Sequence, residues 1–263
     1  MNKFIAAMDH SGGSTGGVLE RYGQEYTEQD KMEKVHAMRL RMVNSVGFNN
    51  DNIWGAILYK DTVDRGMVPI LRKKGITPFL KVDSGCEPDG TLKPFSISDM
   101  CSYARANKIV GTKMRSIITE LELMETVVAQ QFKLAQAIAY EGLIPIVEPE
   151  IPIDHPWKGP LEKVLVVKLA THLANFEKKL ILKLTIPEKK NQYQSLLMYN
   201  NVAKIVGLSG GYSTTEACQR LSKQDSMSAS FSRALSEGLF ADQSKSEFDT
   251  RLLKNISMIK EAS

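Results

Sequence analysis

Apolar residues along the chain gather in short runs. Eight of these runs are rich in β-branched and aromatic side chains: FIAAM (4–8), IWGAILY (53–59), TPFLKV (77–82), IVGTKMR (109–115), LIPIVEP (143–149), LILKLTI (180–186), AKIVGLS (203–209) and MSASFSR (227–233). Runs of this length read as buried strands. Between most of them the apolar spacing becomes helical. DKMEKVHAMRLRMV (30–43) is one such segment and VVAQQFKLAQAIAYE (127–141) is another, with Gly142 where a helix C-terminal cap belongs. Ser213 with Glu216, and Ser244 with Glu247, have the spacing of capping boxes. Alternating strands and helices imply βαβ units and a parallel sheet. Eight strands in 263 residues predict an α/β fold of the (β/α)8 type, a TIM barrel, as one catalytic domain over 1–263. The rival is an open doubly wound sheet, which carries GxGxxG after its first strand. SGGSTGG (11–17) does not fit that pattern.

Side chains alternate across a strand, so parity predicts which of them enter the barrel. In LILKLTI, Leu180, Leu182, Leu184 and Ile186 share the face toward the helices, while Ile181, Lys183 and Thr185 point inward. The same reading turns Ile5, Ala7 and Asp9 inward, and likewise Phe79, Lys81 and Asp83. Lys113 and Arg115 share the face of Gly111, and Glu148 and Glu150 that of Ile144 and Ile146. Charge from several strands therefore converges near their C-terminal ends, the face that carries barrel active sites. One inward lysine is most often a salt-bridged structural residue; convergence from several strands argues for chemistry instead.

Lysine in such a place suggests a particular reaction. A desolvated lysine beside a second cation has a lowered pKa, and the neutral amine attacks carbonyls. Lys183 is the candidate nucleophile and Lys113 the candidate neighbour. A carboxylate such as Glu148 can move the protons of imine formation and loss. The set describes Schiff-base chemistry on a ketone or aldehyde. Two small-residue loops offer seats for anions. One is SGGS (11–14), holding Ser11 and Ser14; the other is SGGYS (209–213), holding Ser209, Gly210 and Gly211, with Ser232 and Arg233 of SFSRA beside it. Seats at both sides of the site suggest a substrate with a phosphate at each end.

Bulk composition narrows the partners. Hydrophobic residues make up 43% and charged residues 24%, as in ordinary water-soluble domains, and the formal charge is +4 without a Lys/Arg block. Nucleic acid and membrane are therefore not expected as partners. The three cysteines form no CxxC, which fits a reducing compartment, and only a five-residue apolar run precedes Asp9, so the reading is cytoplasmic. The four histidines are scattered without paired spacing, and neither a metal nor another cofactor is expected. A homo-oligomer is left open.

FIAAMDHSGGS, GAIL, FLKVD, GTKMRS, GLIPIVEPEI, LKLTIP, LSGGYS and ASFSRAL occur in this order. Together they resemble class I fructose-1,6-bisphosphate aldolases, especially the bacterial branch, from about Phe4 to the end of the chain. The resemblance implies a (β/α)8 barrel and reversible, metal-independent cleavage of fructose 1,6-bisphosphate to dihydroxyacetone phosphate and glyceraldehyde 3-phosphate, a step of glycolysis and gluconeogenesis. It implies that Lys183 forms the Schiff base, that Glu148 is the acid/base group, that Asp9 stands near the bond that breaks, and that Lys113 is the second active-site lysine. It places Ser209, Gly210 and Arg233 at the ketone-side phosphate, with Ser11, Ser14 and Lys81 around the other end. From the parity reading, Arg115 and Glu150 join the substrate-contacting candidates.

The chain departs from the family pattern in places. Ser84 stands where relatives commonly have lysine, His10 follows Asp9 where animal members have glutamate, the segment between Thr62 and Gly75 is short, and the C-terminus lacks a tyrosine. Two alternatives stay open at this point. One is a Schiff-base aldolase for another sugar phosphate, and the other is a catalytically weakened barrel with a binding role.

Overall fold

The structure is a computed structural model that describes residues 3–11 and 13–263, without the side chains of residues 13 and 14. Eight parallel strands close in chain order into a barrel. They are β1 (Phe4–Met8), β2 (Ile53–Leu58), β3 (Thr77–Lys81), β4 (Gly111–Ile117), β5 (Ile144–Glu150), β6 (Leu180–Thr185), β7 (Val202–Leu208) and β8 (Ser228–Phe231). The ring is sealed where Ile5 and Ala6 of β1 pair with Ser230 and Phe231 of β8. The expected (β/α)8 barrel is therefore the observed fold, and all eight apolar runs became strands.

The parity reading holds strand by strand. Phe4, Ala6, Met8, Leu80, Val82, Leu180, Leu182, Leu184 and Ile186 belong to the apolar layer between barrel and helices. A second, inner cluster joins Ile5, Ala7, Ile57, Phe79, Ile146, Ile181 and Val206, with Trp54 and Ile144 half-buried against it. This plug fills the lower barrel, and the inward charges that line the cavity stand above it at the C-terminal mouth. Gly111 makes the plug possible. A Cβ there would lie 2.1 Å from the Ile144 carbonyl oxygen and 2.8 Å from the Phe79 ring.

The helices are α1 (Gly13–Arg21), α2 (Lys31–Asn44), α3 (Lys60–Asp64), α4 (Met67–Lys73), α5 (Ile97–Ala106), α6 (Met124–Tyr140), α7 (Lys158–Leu173), α8 (Thr214–Leu221), α9 (Arg233–Ser236) and α10 (Lys245–Glu261). Gly142 follows α6 at φ +83°, the left-handed conformation that a side chain disfavours. Ser244 and Glu247 close a full capping box on α10. Ser213 caps α8 by accepting from the Glu216 N–H, but the Glu216 carboxylate turns to Arg220 instead, so this box is half-formed. The β6–β7 crossover holds a short 3-10 turn (Gln194–Met198) in place of an α-helix. β8 stops at Phe231, two residues before the end of its apolar run, and this releases Ser232 and Arg233 to the rim of the mouth.

Candidate active site

A cavity of about 450 Å³ opens at the C-terminal mouth of the barrel. Strand geometry delivers its chemistry. Asp9 stands one residue beyond β1, Lys113 within β4, Glu148 within β5 and Lys183 within β6. Register explains how they meet: Lys113 pairs with Ile146, and Ile146 with Ile181. Glu148 and Lys183 each lie two residues further on, one inward position higher, and the long Lys113 side chain reaches up to them. Lys113 Nζ lies 2.7 Å from Asp9 Oδ2 and 2.9 Å from Glu148 Oε2. Lys183 Nζ lies 3.1 Å from Glu148 Oε1.

Two carboxylates and two ammonium groups thus share one buried site. Lys113 and Glu148 are each 3% exposed, Lys183 is 4% and Asp9 is 9%. Burial alone would push the Asp9 carboxyl up; Lys113, and then Lys183, outweigh it and hold Asp9 well below the usual carboxylate range. The same balance, burial against Lys113 and Lys183, lowers Glu148. Burial opposes the charge on Lys113, but Asp9 and Glu148 overcome it and raise the ammonium well above its ordinary value. This corrects one expectation. Lys113 is no bare cation beside Lys183: it is held by two carboxylates, and Glu148 stands between it and Lys183. Thr185 has a structural partner. It shares the inward face, but its hydroxyl donates to the Ile151 carbonyl at 2.6 Å, which ties β6 to the end of β5.

Around this centre lie the other candidates. Lys81 Nζ donates to Ser11 Oγ at 2.8 Å and lies 3.4 Å from Asp83. Arg115 Nε lies 2.5 Å from Glu150 Oε2, so Glu150 acts as the partner of Arg115. Ser209, Gly210, Ser232 and Arg233 line the cavity. Gly211 supports the seat from behind: at φ +127°, a Cβ there would lie 3.2 Å from Arg233 Nη1. Gly210, at φ +59°, would drive a Cβ to 2.3 Å from Ile153 Cγ2. Both positions require glycine on these counts. Ser11 meets the site through Lys81 and does not itself line the cavity. The side chain of Ser14 lies outside the described residues. Ser84 is exposed and does not line the cavity.

Sequence reasoning missed Arg21, Cys86 and His10, all of which line the cavity; Asp83, though read as inward, was not counted as a site residue. Arg21 comes from α1 and approaches Arg233 closely enough that, after burial, it is the leading influence lowering the Arg233 guanidinium. Neither arginine has a carboxylate partner within ion-pair distance among the described residues. Two uncompensated guanidinium groups beside a glycine turn make a seat for an anion. The sequence signal was the four-residue step from Gly17 to Arg21, which puts both on one helix face.

A protein from Synechocystis sp. called fructose-bisphosphate aldolase class 1 is 43% identical to this chain over 279 aligned positions, covering 99% of the chain and 93% of that protein. The chain belongs to the class I fructose-bisphosphate aldolases. The resemblance read from its motifs is thereby confirmed. No family model matches the sequence. Among solved structures, a fructose-bisphosphate aldolase from Plasmodium falciparum, in complex with TRAP and an inhibitor, aligns with a TM-score of 0.79 at 19% identity, covering 99% of this chain and 90% of that one. A Corynebacterium glutamicum protein, Cgl0159, aligns with a TM-score of 0.63 at 12% identity, covering 99% and 85%. At these identities the two structures speak for the barrel fold. Within the site, Asp9, Lys113, Glu148 and Lys183 form a balanced quartet of two carboxylates and two lysines.

Proposed function

We propose that this chain cleaves fructose 1,6-bisphosphate reversibly to dihydroxyacetone phosphate and glyceraldehyde 3-phosphate, through a Schiff base on Lys183. The observation that carries this reading is the position of Glu148, 3.1 Å from Lys183 and 2.9 Å from Lys113. Glu148 can accept the proton that Lys183 must lose before its amine attacks the ketone carbon. It can then return a proton to the departing hydroxyl as the carbinolamine becomes an iminium ion and water. Asp9 stands across Lys113 from this exchange. As the carbon–carbon bond breaks, Asp9 accepts the proton of the hydroxyl that becomes the aldehyde, and the electron pair passes into the iminium to give an enamine. Lys113, pinned at 2.7 Å to Asp9, keeps that carboxylate ionised and ready.

The phosphate ends are assigned by charge. Arg21 and Arg233, with the turn at Ser209 and Gly210, suit the ketone-side phosphate. Lys81, Ser11 and Arg115 suit the aldehyde-side end; there an anion competes with Glu150 for Arg115. One chain would supply the whole catalytic domain. Three free cysteines, Cys86, Cys101 and Cys218, fit the reading of a reducing, cytoplasmic setting. Among the described residues no helix is long and apolar enough to cross a membrane.

The test is steady-state cleavage of fructose 1,6-bisphosphate. Lys183→Ala is expected to abolish turnover, and Glu148→Gln to lower kcat by roughly 10² or more, the scale of a lost general acid–base group. Unimpaired turnover in Glu148→Gln would move that role to another carboxylate, with Glu150 the nearest rival in sequence.

A further inference from the structure

Arg39 belongs to α2, outside the barrel wall, and the mechanism above does not use it. It is 2% exposed, and among the described residues no carboxylate lies within ion-pair distance of it. A buried charge without a counterion is costly, so the partners it does have matter. Nη2 donates to the His10 carbonyl oxygen at 2.6 Å, and Nη1 donates to Thr62 Oγ1 at 2.6 Å. Thr62 is fully buried on α3, the helix that follows β2. One guanidinium thus clamps the chain beyond β1 to the helix beyond β2. Burial pushes the guanidinium down to about 10; Asp9, and then Asp61, pull the other way. The Asp61 carboxylate is already paired with Arg65 at 2.9 Å.

The clamped segment is the one that carries Asp9. The ladder between β1 and β2 ends at Met8 and Leu58. Asp9 and His10 stand past it, outside any strand. The Asp9 carboxylate nevertheless meets Lys113 Nζ at 2.7 Å. Two contacts locate it: Lys113 at its side chain, and Arg39 at the next carbonyl along the backbone. A guanidinium suits the second task, because its arms reach two oxygens in one rigid plane. We propose that Arg39, seated on Thr62, is a positioning residue for Asp9: by holding the His10 carbonyl it sets where the carboxylate stands when the carbon–carbon bond breaks. This rests on the aldolase reading for the identity of the reaction. It also divides the chemistry in two. Glu148 and Lys183 are placed by the pairing of β5 with β6, so Schiff-base formation does not depend on the clamp, whereas bond cleavage does.

The experiment compares the wild-type chain with Arg39→Met, Thr62→Val and Thr62→Ser. Two activities are read on each protein. One is steady-state cleavage of fructose 1,6-bisphosphate. The other is borohydride trapping titrated with dihydroxyacetone phosphate, which reports the Schiff base alone. Arg39→Met should lower kcat by about tenfold to a hundredfold, the scale of a displacement of up to about 1 Å at a reacting group. Its half-maximal dihydroxyacetone phosphate concentration should move by less than about twofold, a split that a general loosening of the fold would not give. Thr62→Val removes one of the two oxygens and should show the same split at about threefold to tenfold in kcat, the scale of one hydrogen bond. Thr62→Ser keeps the hydroxyl and should stay within about twofold of the wild type. In a crystal structure of Thr62→Val the His10 backbone should shift and the 2.7 Å contact of Asp9 with Lys113 should lengthen. Equal losses in cleavage and trapping, an unchanged kcat in Arg39→Met, a serine variant as impaired as the valine one, or an unmoved Asp9 in the crystal would overturn the assignment. Should Arg39→Met fail to fold, the two threonine variants carry the same test. A wild-type chain that is neither trapped nor active would instead sink the aldolase reading, and the crystal comparison would still decide whether Arg39 positions Asp9.

Discussion

Lys113→Met removes one of the two cations from a site that buries two carboxylates. The substitution keeps an unbranched chain one atom shorter, without the ammonium, so lost charge is the main change. Asp9 and Glu148 would then share Lys183 alone, with Lys113 no longer 2.7 Å and 2.9 Å from them. Breaking a buried ion set by removing one partner typically costs about 3–5 kcal/mol, because it leaves charge uncompensated in a low dielectric. Unfolding entropy is about 2.1 cal/mol/K per residue, or roughly 0.55 kcal/mol/K over 263 residues. The expected fall in Tm is therefore about 5–9 °C. Differential scanning calorimetry at pH 7 measures it on the wild type, Lys113→Met, Asp9→Asn and the double variant. The double variant leaves one carboxylate, Glu148, with one ammonium, Lys183, so it should be more stable than Lys113→Met alone. The non-additivity should reach about 1–3 kcal/mol, as for other groups in direct contact. A Tm change in Lys113→Met below about 1 °C, or strictly additive losses in the cycle, would refute the balanced-quartet argument, since either result falls outside those scales.

Acid stability should fall in two stages. His10 has a folded pKa lowered to about 4 from 6.5, so the unfolded chain binds its proton first and stability drops as pH falls across that window. Asp9 and Glu148 are also lowered, so their contribution is complete above the unfolded carboxylate range near pH 4 and is lost as pH falls toward their folded values. His36 is lowered as well, first by burial, so His10→Gln should shrink the upper stage of a calorimetric pH series without removing it, and leave the lower one. Gly210→Ala should disturb the phosphate turn, since its Cβ would lie 2.3 Å from Ile153 Cγ2; KM for fructose 1,6-bisphosphate should rise, with a second substitution, Ile153→Ala, partly restoring it. Among the described residues no group of three His, Cys, Asp or Glu side chains could hold a metal ion, so cleavage should proceed unchanged in EDTA, and strong inhibition would point to a metal-dependent mechanism.

The barrel was legible because strand parity depends only on the period of two along each run. The inner plug and the outer layer separate as LILKLTI and FIAAMD implied, and the inward charges arrive at one mouth. Relations between strands were harder to read. Lys113 and Lys183 both read as inward, but parity says nothing about relative height, which is set by register across β5. For that reason the two lysines could be expected as neighbours, while the carboxylate that separates them could not be placed. Thr185 shows the same limit: its inward direction was readable, but the Ile151 carbonyl waiting for its hydroxyl was not. Arg21 was missed for a different reason. It reaches the site from a helix, and the search for inward charge followed strands alone. The two small-residue segments stood out by their glycines, but each glycine serves a separate purpose, and Gly16 lies within α1, not in a loop. Gly16 makes room for Tyr26, whose hydroxyl would stand 2.4 Å from an added Cβ, whereas Gly210 shapes the turn itself.

The most direct measurement is covalent trapping. Wild-type protein incubated with dihydroxyacetone phosphate and reduced with borohydride should gain one triose phosphate per chain, and peptide mapping should find it on Lys183. Lys183→Ala should gain none under the same conditions. An adduct on Lys113 or any other lysine, or an unmodified wild-type chain, would contradict the account.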